Sequence, residues 1–221
     1  MNPEFFSFLQ QFRRYWWDSR KEEEFREVET DPFKLLVFTI LSQNTSSENT
    51  WRAWRSLRSR YDVSAEALAK ANIEKLAETI RSGGLPRVKA KRIIEASRYL
   101  LNNGIELADL IDKEARQELL KIPGVGQKTA DVLLSSKHGQ QEHLIIDTHM
   151  ERVAKRLGLV DEKAGYDEIQ KALVRFLDHP DDETATLFWF FARHMCTARN
   201  PRCSECILRK ECKFGSRMTV D

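Results

Sequence analysis

The chain has 221 residues, of which 41% are hydrophobic and 32% charged, and its formal net charge is +2. That length can bury one sizeable core or two small ones, since single domains commonly run to about 100–200 residues. No apolar run reaches the roughly 20 residues that a transmembrane helix needs, and the N-terminal stretch does not resemble a signal peptide. We therefore expect a soluble intracellular protein, in the cytoplasm and nucleoid or, in a eukaryote, in the nucleus or an organelle.

Helical periodicity runs through nearly the whole chain, and no segment keeps the alternation expected of strands. In chain order, helices are predicted over residues 32–41, 49–61, 64–82, 88–102, 114–121, 127–138, 148–157, 166–177 and 182–195. The predicted fold class is all-α. An apolar N-terminal stripe needs a partner, and aromatic residues late in the chain can supply one. The stripe comprises Phe5, Phe6, Phe8, Leu9, Phe12 and Trp16, and the partner Leu187, Phe188, Trp189 and Phe191.

A Pro-Gly turn near the middle of the chain joins two predicted helices. Gly124 and Gly126 permit a tight turn and a close backbone approach, and a new helix begins near Gln127. The free N–H groups at such a helix start suit a DNA phosphate, with Lys128 following directly. A plain helix–helix turn with a glycine cap is the alternative, because short G-x-G patterns are weak evidence.

Asp147 follows a short apolar run and stands at the start of a predicted helix. It can be a simple helix N-cap. Beside a desolvated lysine, the same carboxylate could help to deprotonate the amine and stabilise positive charge on a sugar ring. Both interpretations remain open from the sequence alone.

All four cysteines lie in the last 26 residues, in the spacing Cys196-x6-Cys203-x2-Cys206-x5-Cys212. Such a group indicates metal ligands rather than dispersed disulfides. Four thiolates bind either zinc or an iron–sulfur cluster, and zinc ribbons usually show two C-x2-C pairs where this chain has one. Basic residues also collect locally, with six Lys/Arg against one Glu over residues 81–98. This charge distribution fits phosphate contacts, although a solvated surface explains it equally well.

Two of these segments resemble a known family. The run from Pro123 to Ala130, followed by Asp147-Thr148-His149, resembles the helix-hairpin-helix and Gly/Pro-Asp core of the endonuclease III superfamily. The cysteine spacing, with the Arg199–Arg202 segment between the first two cysteines, resembles its [4Fe–4S] loop. The resemblance covers about residues 31–214. It implies a six-helix barrel domain over 31–140, with the hairpin at about 114–138. Residues 1–30 and 141–221 would form a second domain, with the cluster loop at 196–212 and the active site in the cleft between the domains.

The resemblance also implies the chemistry. Lys128 matches the family's catalytic lysine and Asp147 its catalytic aspartate. The lysine amine would attack C1′ of a flipped nucleotide, expel the base, form a Schiff base and permit elimination of the 3′ phosphate. The amine must be neutral when it attacks, which burial would favour by lowering its pKa. The protein is thus expected to be a monomeric DNA glycosylase and abasic-site lyase of base-excision repair, acting on double-stranded DNA.

Further DNA contacts follow from the same resemblance. Either Gln43 or Asn44 would fill the gap left by the flipped base, and Leu85 would wedge into the stack. The remaining predicted contacts are Arg87, Lys89, Gly124, Val125, Gly126, Thr129, Thr148, His149, Arg199 and Arg202.

The substrate is less determined than the reaction. Oxidised pyrimidines are the expected substrates of a member with both lysine and cluster. Excision of uracil or thymine from mismatches, or of alkylated purines, is the alternative within the superfamily. An alternative of another class is a non-catalytic, zinc-bearing DNA-binding module in which Lys128 and Asp147 have no chemical role.

Overall fold

The structure is a computed structural model that describes residues 3–16 and 19–217, with the backbone alone at residues 19–22. Thirteen α-helices and no strand occur in this described part, which confirms the predicted all-α class. The helices are α1 (Pro3–Leu9), α2 (Ser19–Glu29), α3 (Pro32–Ser42), α4 (Ser47–Arg58), α5 (Ala65–Ala69), α6 (Ile73–Thr79), α7 (Pro86–Asn102), α8 (Leu107–Asp112), α9 (Arg116–Leu119), α10 (Gln127–His138), α11 (Thr148–Leu157), α12 (Tyr166–Leu177) and α13 (Asp182–His194). None of the described helices is long and apolar enough to cross a membrane.

The chain divides into two compact units. The central unit is Asp18–Lys137, and the terminal unit combines Met1–Trp17 with His138–Asp221. This division places α2 in the central unit, whereas the sequence grouped residues 1–30 with the cluster domain. The reason is local packing: Val28 is fully buried in the core of the central unit, and Arg55 and Arg58 of α4 pair with Glu24 and Glu27 of α2.

The helix predicted over residues 64–82 is interrupted. Helix α5 ends at Ala69, and α6 begins after Asn72, whose side-chain oxygen accepts the N–H groups of Glu74 and Lys75, both at 3.1 Å. Asparagine competes with helix propagation in this way, because its side chain satisfies the backbone donors of a new helix start. Helix α8 was not predicted, since only Leu107 and Ile111 on it are buried.

Aromatic side chains form the core of the terminal unit. Phe5 and Phe12 of the N-terminal segment pack edge-on against Phe191 of α13, with ring centroids 5.6 and 5.8 Å apart. This confirms the predicted pairing of the apolar stripe for these residues. Phe6 and Trp16 differ, being 40% and 41% exposed.

Candidate active site and DNA-binding surface

The hairpin turn between α9 and α10 depends on Gly124. Its φ is +85°, and a Cβ there would lie 3.1 Å from the Cβ of Arg92, so both the backbone angle and the space require glycine. The N–H of Val125 donates to the carbonyl of Ile122 at 3.0 Å and closes the turn. Gly126 has nothing within 4 Å of an added Cβ. The turn thus presents an open backbone surface directly before the first turn of α10, where N–H groups lack partners within the helix.

An ion pair that the sequence did not predict joins the two helices of the hairpin. Arg116 of α9 donates to both carboxylate oxygens of Asp131 on α10, at 2.9 and 3.3 Å. The Asp131 side chain is fully buried and that of Arg116 is 19% exposed. A two-point contact of this kind fixes relative orientation as well as distance. It therefore sets how α10 follows the turn.

Lys128 is the second residue of α10 and is exposed. Burial of its amine by the protein was the expected way to make it neutral, and the structure does not provide that burial. Because the side chain is accessible, desolvation would have to come from a bound substrate.

The carboxylate of Asp147 accepts three hydrogen bonds within the terminal unit. Its Oδ1 accepts the backbone N–H groups of His149 and Met150, both at 2.9 Å, which makes it the N-cap of α11. Its Oδ2 accepts the indole N–H of Trp189 at 2.8 Å. Capping and a further function for this carboxylate are therefore compatible, because capping occupies only one of the two oxygens.

The loop after α3 is held to the hairpin through Gln43. Its Nε2 donates to the carbonyl of Gly124 at 3.1 Å, and Arg92 donates to its Oε1 at 2.7 Å. Asn44 differs from Gln43, since it is exposed and its φ is +52°. Asparagine is one of the few non-glycine residues that adopt this left-handed backbone readily.

Leu85, the predicted wedge, directly precedes α7. It is 52% exposed and has φ +47°, a costly conformation for a leucine. Strain together with exposure of a large apolar side chain is typical of a functional position rather than of a core residue. Arg87 on the first turn of α7 is also exposed, and it pairs with Glu74 at 2.9 Å.

Lys89 was wrongly predicted to contact a phosphate. It is 1% exposed, and its Nζ donates to the carbonyl of Leu41 at 2.6 Å and to that of Gly83 at 2.7 Å. Burial, helped by the neighbouring Arg92 charge, lowers its pKa from 10.5 to about 8. The apolar pattern of α7 did not distinguish Lys89 from a surface lysine. In the structure, its ammonium group links the end of the loop after α3 to the end of the loop before α7.

The other predicted contacts differ in how far they are exposed. Val125 and Thr129 are buried, so their side chains are not available to DNA and only their backbone can contribute. Thr148 and Arg199 are exposed. Arg202 is half-buried rather than exposed as expected, because it pairs with Glu205 and its Nε lies inside the protein. His149 is also half-buried, with its Nδ1 3.1 Å from the guanidinium of Arg152.

The four cysteines line one pocket and form no disulfide. Burial, together with the charges of the other three thiolates, raises the pKa of Cys206 to about 11. Such mutual repulsion favours a bound cation that neutralises the thiolates. Among the described residues, no three His, Cys, Asp or Glu side chains are grouped for a single metal ion. The four thiols line the same pocket, and four thiolates are the ligand set of a [4Fe–4S] cluster.

Arg156 of α11 supports the loop that carries the first ligand. Its guanidinium donates to the carbonyl of Thr197 at 2.7 Å and to that of Ala198 at 3.1 Å, and it lies 3.3 Å from the Sγ of Cys196. Its own carbonyl lies 3.2 Å from the Sγ of Cys212. Donors near ligand sulfurs orient the ligands and tune the metal that they hold.

Two family models match the chain. The model of the HhH-GPD superfamily base excision DNA repair proteins matches residues 37–179, and the model of the iron–sulfur binding domain of endonuclease III matches residues 196–212. The first match covers the loops, the hairpin and Asp147, and the second spans all four cysteines.

Individual relatives agree with these models. Endonuclease III of Thermotoga maritima is 39% identical over 193 residues, which are 86% of each chain. Endonuclease III of Bacillus subtilis is 36% identical over 86% of this chain and 84% of its own. A solved endonuclease III–DNA complex, trapped as a covalent intermediate, is 33% identical, with a TM-score of 0.66, over 84% of this chain and 85% of that one.

The helical fold, the hairpin turn and the four-thiol pocket define a helix-hairpin-helix protein of base-excision DNA repair. With these matches, the chain belongs to the endonuclease III family. It is a DNA glycosylase and abasic-site lyase that acts on double-stranded DNA and carries a [4Fe–4S] cluster. The alternative of a non-catalytic, zinc-bearing module is thereby excluded.

Proposed function

We propose that Lys128 is the nucleophile of both reactions, that Asp147 is its catalytic carboxylate, and that oxidised pyrimidines are the substrates. The observation that carries the proposal is the exposed amine of Lys128 at the start of α10, next to the open backbone of the hairpin turn. A hairpin that binds a phosphate there would bring the sugar of the same strand to the amine. The similar endonuclease III was trapped as a covalent intermediate with DNA, a state that requires such a nucleophile.

In the proposed reaction, the neutral amine of Lys128 attacks C1′ of the flipped nucleotide. The glycosidic bond breaks, and its electron pair leaves with the base, which takes up a proton. The sugar ring opens to a Schiff base between C1′ and Nζ, loss of a proton from C2′ expels the 3′ phosphate, and water then releases the lysine. Exclusion of water by the DNA would favour the neutral amine, because the free protein leaves it exposed.

Asp147 would act where positive charge develops on the sugar. Its carboxylate is fixed by backbone and indole N–H groups, so it needs no reorganisation during the reaction. The cluster would supply no step. We assign the cluster ligands to Cys196, Cys203, Cys206 and Cys212, and with them the support of a basic loop beside DNA.

The proposed DNA contacts of the central unit lie on its two loops and the hairpin, and those of the terminal unit lie at the start of α11 and on the cluster loop. Asn44 would fill the gap, since the amide of Gln43 is already engaged with Gly124 and Arg92, and Leu85 would enter the base stack. The hairpin backbone, Thr148, His149, Arg87, Arg199 and Arg202 would contact phosphates. Because the substrate is cellular DNA, we place the protein inside the cell.

Borohydride trapping on abasic duplex DNA tests the role of Lys128. The wild type and the matched control Lys121→Ala, which changes another exposed lysine next to the hairpin, should give a covalent adduct. Lys128→Ala should give none. An adduct of undiminished yield with Lys128→Ala would overturn the assignment.

A panel of damaged duplexes tests the substrate. Single-turnover excision should be fastest for oxidised thymine or cytosine, compared with uracil, mismatched thymine and alkylated purines. If uracil, mismatched thymine or an alkylated purine were excised fastest, that base would replace oxidised pyrimidines as the proposed substrate.

Asp147→Asn tests the role of the carboxylate. It keeps an oxygen for the helix cap but removes the charge, so it should abolish base release while leaving the protein folded.

A further inference from the structure

The two oxygens of Asp147 have different partners. Oδ1 accepts two backbone N–H groups at the start of α11. Oδ2 accepts the side-chain Nε1–H of Trp189 at 2.8 Å. The helix cap accounts for the first oxygen. Serine, threonine or asparagine would cap as well, so capping does not explain why the second oxygen is also held.

The carboxylate torsion of an aspartate is broad and weakly restrained by its own chain. Two bonds to Oδ1 fix one atom, and the third bond, to Oδ2, sets the rotation of the carboxylate plane. Trp189 therefore determines the direction of Oδ2.

Trp189 is itself held in place. It is half-buried on α13, with its ring 5.0 Å from that of Phe190 and the Arg193 guanidinium 5.1 Å from its centroid. Arg152 of α11 donates to the carbonyls of Ala192 and Cys196 at 2.7 and 2.8 Å. These bonds fasten α11 to the end of α13, so the helices that carry acceptor and donor are fixed relative to each other.

We propose that Trp189 is a positioning residue for base release. Its indole N–H holds the Oδ2 of Asp147 in the correct orientation while positive charge develops on the sugar. The inference rests on the proposed catalytic role of Asp147. It assigns a role in the reaction to a side chain that the sequence grouped with the hydrophobic core.

Trp189→Phe tests the proposal, because it removes the N–H and keeps an aromatic ring. We expect single-turnover base release to fall about tenfold, the effect of losing one hydrogen bond to a charged group. Affinity for damaged duplex and the melting temperature should match those of the control Trp16→Phe, which alters another tryptophan of the terminal unit that packs on Phe190. A merely structural role would instead lower affinity or melting temperature together with the rate.

A second variant guards against a packing defect in Trp189→Phe. Trp189→His restores a ring N–H with a smaller ring, so its rate should lie closer to that of the wild type than the rate of Trp189→Phe does. Equal rates for the two variants would overturn the proposal, since the donor would then not matter.

Asp147→Asn distinguishes the positioning role of Trp189 from the catalytic role of Asp147. If Asp147→Asn abolishes base release while Trp189→Phe stays within twofold of the wild type, the positioning role is wrong and the catalytic aspartate stands. If Asp147→Asn releases the base at the wild-type rate, the proposed catalytic role of Asp147 is wrong, and the positioning role is overturned with it.

Discussion

The side-chain amide of Gln43 donates a hydrogen bond to the carbonyl oxygen of Gly124, so the loop after α3 is joined directly to the hairpin turn. Arg92 completes the contact by donating to the other end of the same amide. One glutamine thus links two segments that are both predicted to contact DNA. It follows that neighbouring residues of this loop, Gln43 and Asn44, should respond differently to substitution.

Gln43→Ala should lower the free energy of unfolding by about 1–2 kcal/mol, because the Gly124 carbonyl and the Arg92 guanidinium lose their partner. Asn44→Gly should leave stability unchanged, since glycine adopts the left-handed backbone readily. Asn44→Gly should instead alter the relative excision rates with each base opposite the lesion. Urea unfolding and single-turnover assays check these outcomes, and a change of opposite-base preference confined to Gln43→Ala would contradict them.

The two glycines of the hairpin should separate stability from DNA binding. Gly124→Ala combines a positive φ with a Cβ 3.1 Å from the Cβ of Arg92, so it should destabilise the protein by about 1–2 kcal/mol or more. Gly126→Ala meets nothing within 4 Å and should melt like the wild type. If DNA phosphate approaches this backbone, Gly126→Ala will nevertheless weaken duplex binding. Calorimetry and equilibrium binding measure the two effects, and wild-type affinity of Gly126→Ala would count against phosphate contact at that residue.

Lys89 should make stability depend on pH. Burial lowers its pKa in the folded protein from 10.5 to about 8, so between those values the unfolded chain binds more protons than the folded one. The free energy of unfolding contributed by this group therefore rises as the pH is raised from about 8 to 10.5 and is constant below that range. Urea unfolding at about pH 7.5 and about pH 9.5 measures the gain.

Lys89→Met should lose that gain, whereas Lys91→Met, which removes an exposed lysine two residues away, should keep it. The comparison between variants removes the contribution of other groups that titrate in the same range. Identical pH dependence in the two variants would show that Lys89 does not titrate as described.

The ion pair between Arg116 and Asp131 should contribute more to the free energy of unfolding than the surface ion pairs of this protein. Asp131→Asn removes the charge of a fully buried carboxylate that Arg116 contacts and should destabilise the protein by about 3 kcal/mol. The control Glu48→Gln breaks an exposed pair with Arg52 and should change stability by less than about 0.5 kcal/mol. Chemical unfolding decides between them, and similar losses in both variants would mean that burial does not strengthen the Arg116 contact.

Much of the fold could be predicted from the sequence because apolar periodicity is a local property. The longer helices, such as α7 and α10, appear near their predicted limits. The missed features depend on a few atoms. One asparagine side chain at Asn72 divides a helix, and the assignment of α2 to the central unit rests on Val28 and on ion pairs between distant segments.

For the site, too, short motifs could be recognised in the sequence, whereas contacts between residues distant in sequence could not. Lys128, Asp147 and the cysteines stand in short motifs, so their residue types and spacing could identify them. The environments of Lys89, Gln43 and Trp189 could not be predicted, because each has a partner far away in sequence. Lys89 donates to the carbonyl of Leu41, Gln43 to that of Gly124, and Trp189 to the carboxylate of Asp147. No pattern in one sequence reveals such long-range acceptors. Only the residue type gave a signal, since a tryptophan N–H usually finds a partner when it is largely buried.

Helix α11 connects the two sites of the terminal unit. Asp147 caps its first turn, and Arg152 and Arg156 on its later turns hold the backbone around Cys196. The helix has ten residues and is therefore about 15 Å long. Because Cys196 is a proposed cluster ligand, loss of the cluster would free the backbone that contacts the far end of α11. We therefore expect damage to the cluster to disturb the helix that begins at Asp147, even though the cluster takes part in no step of the proposed reaction.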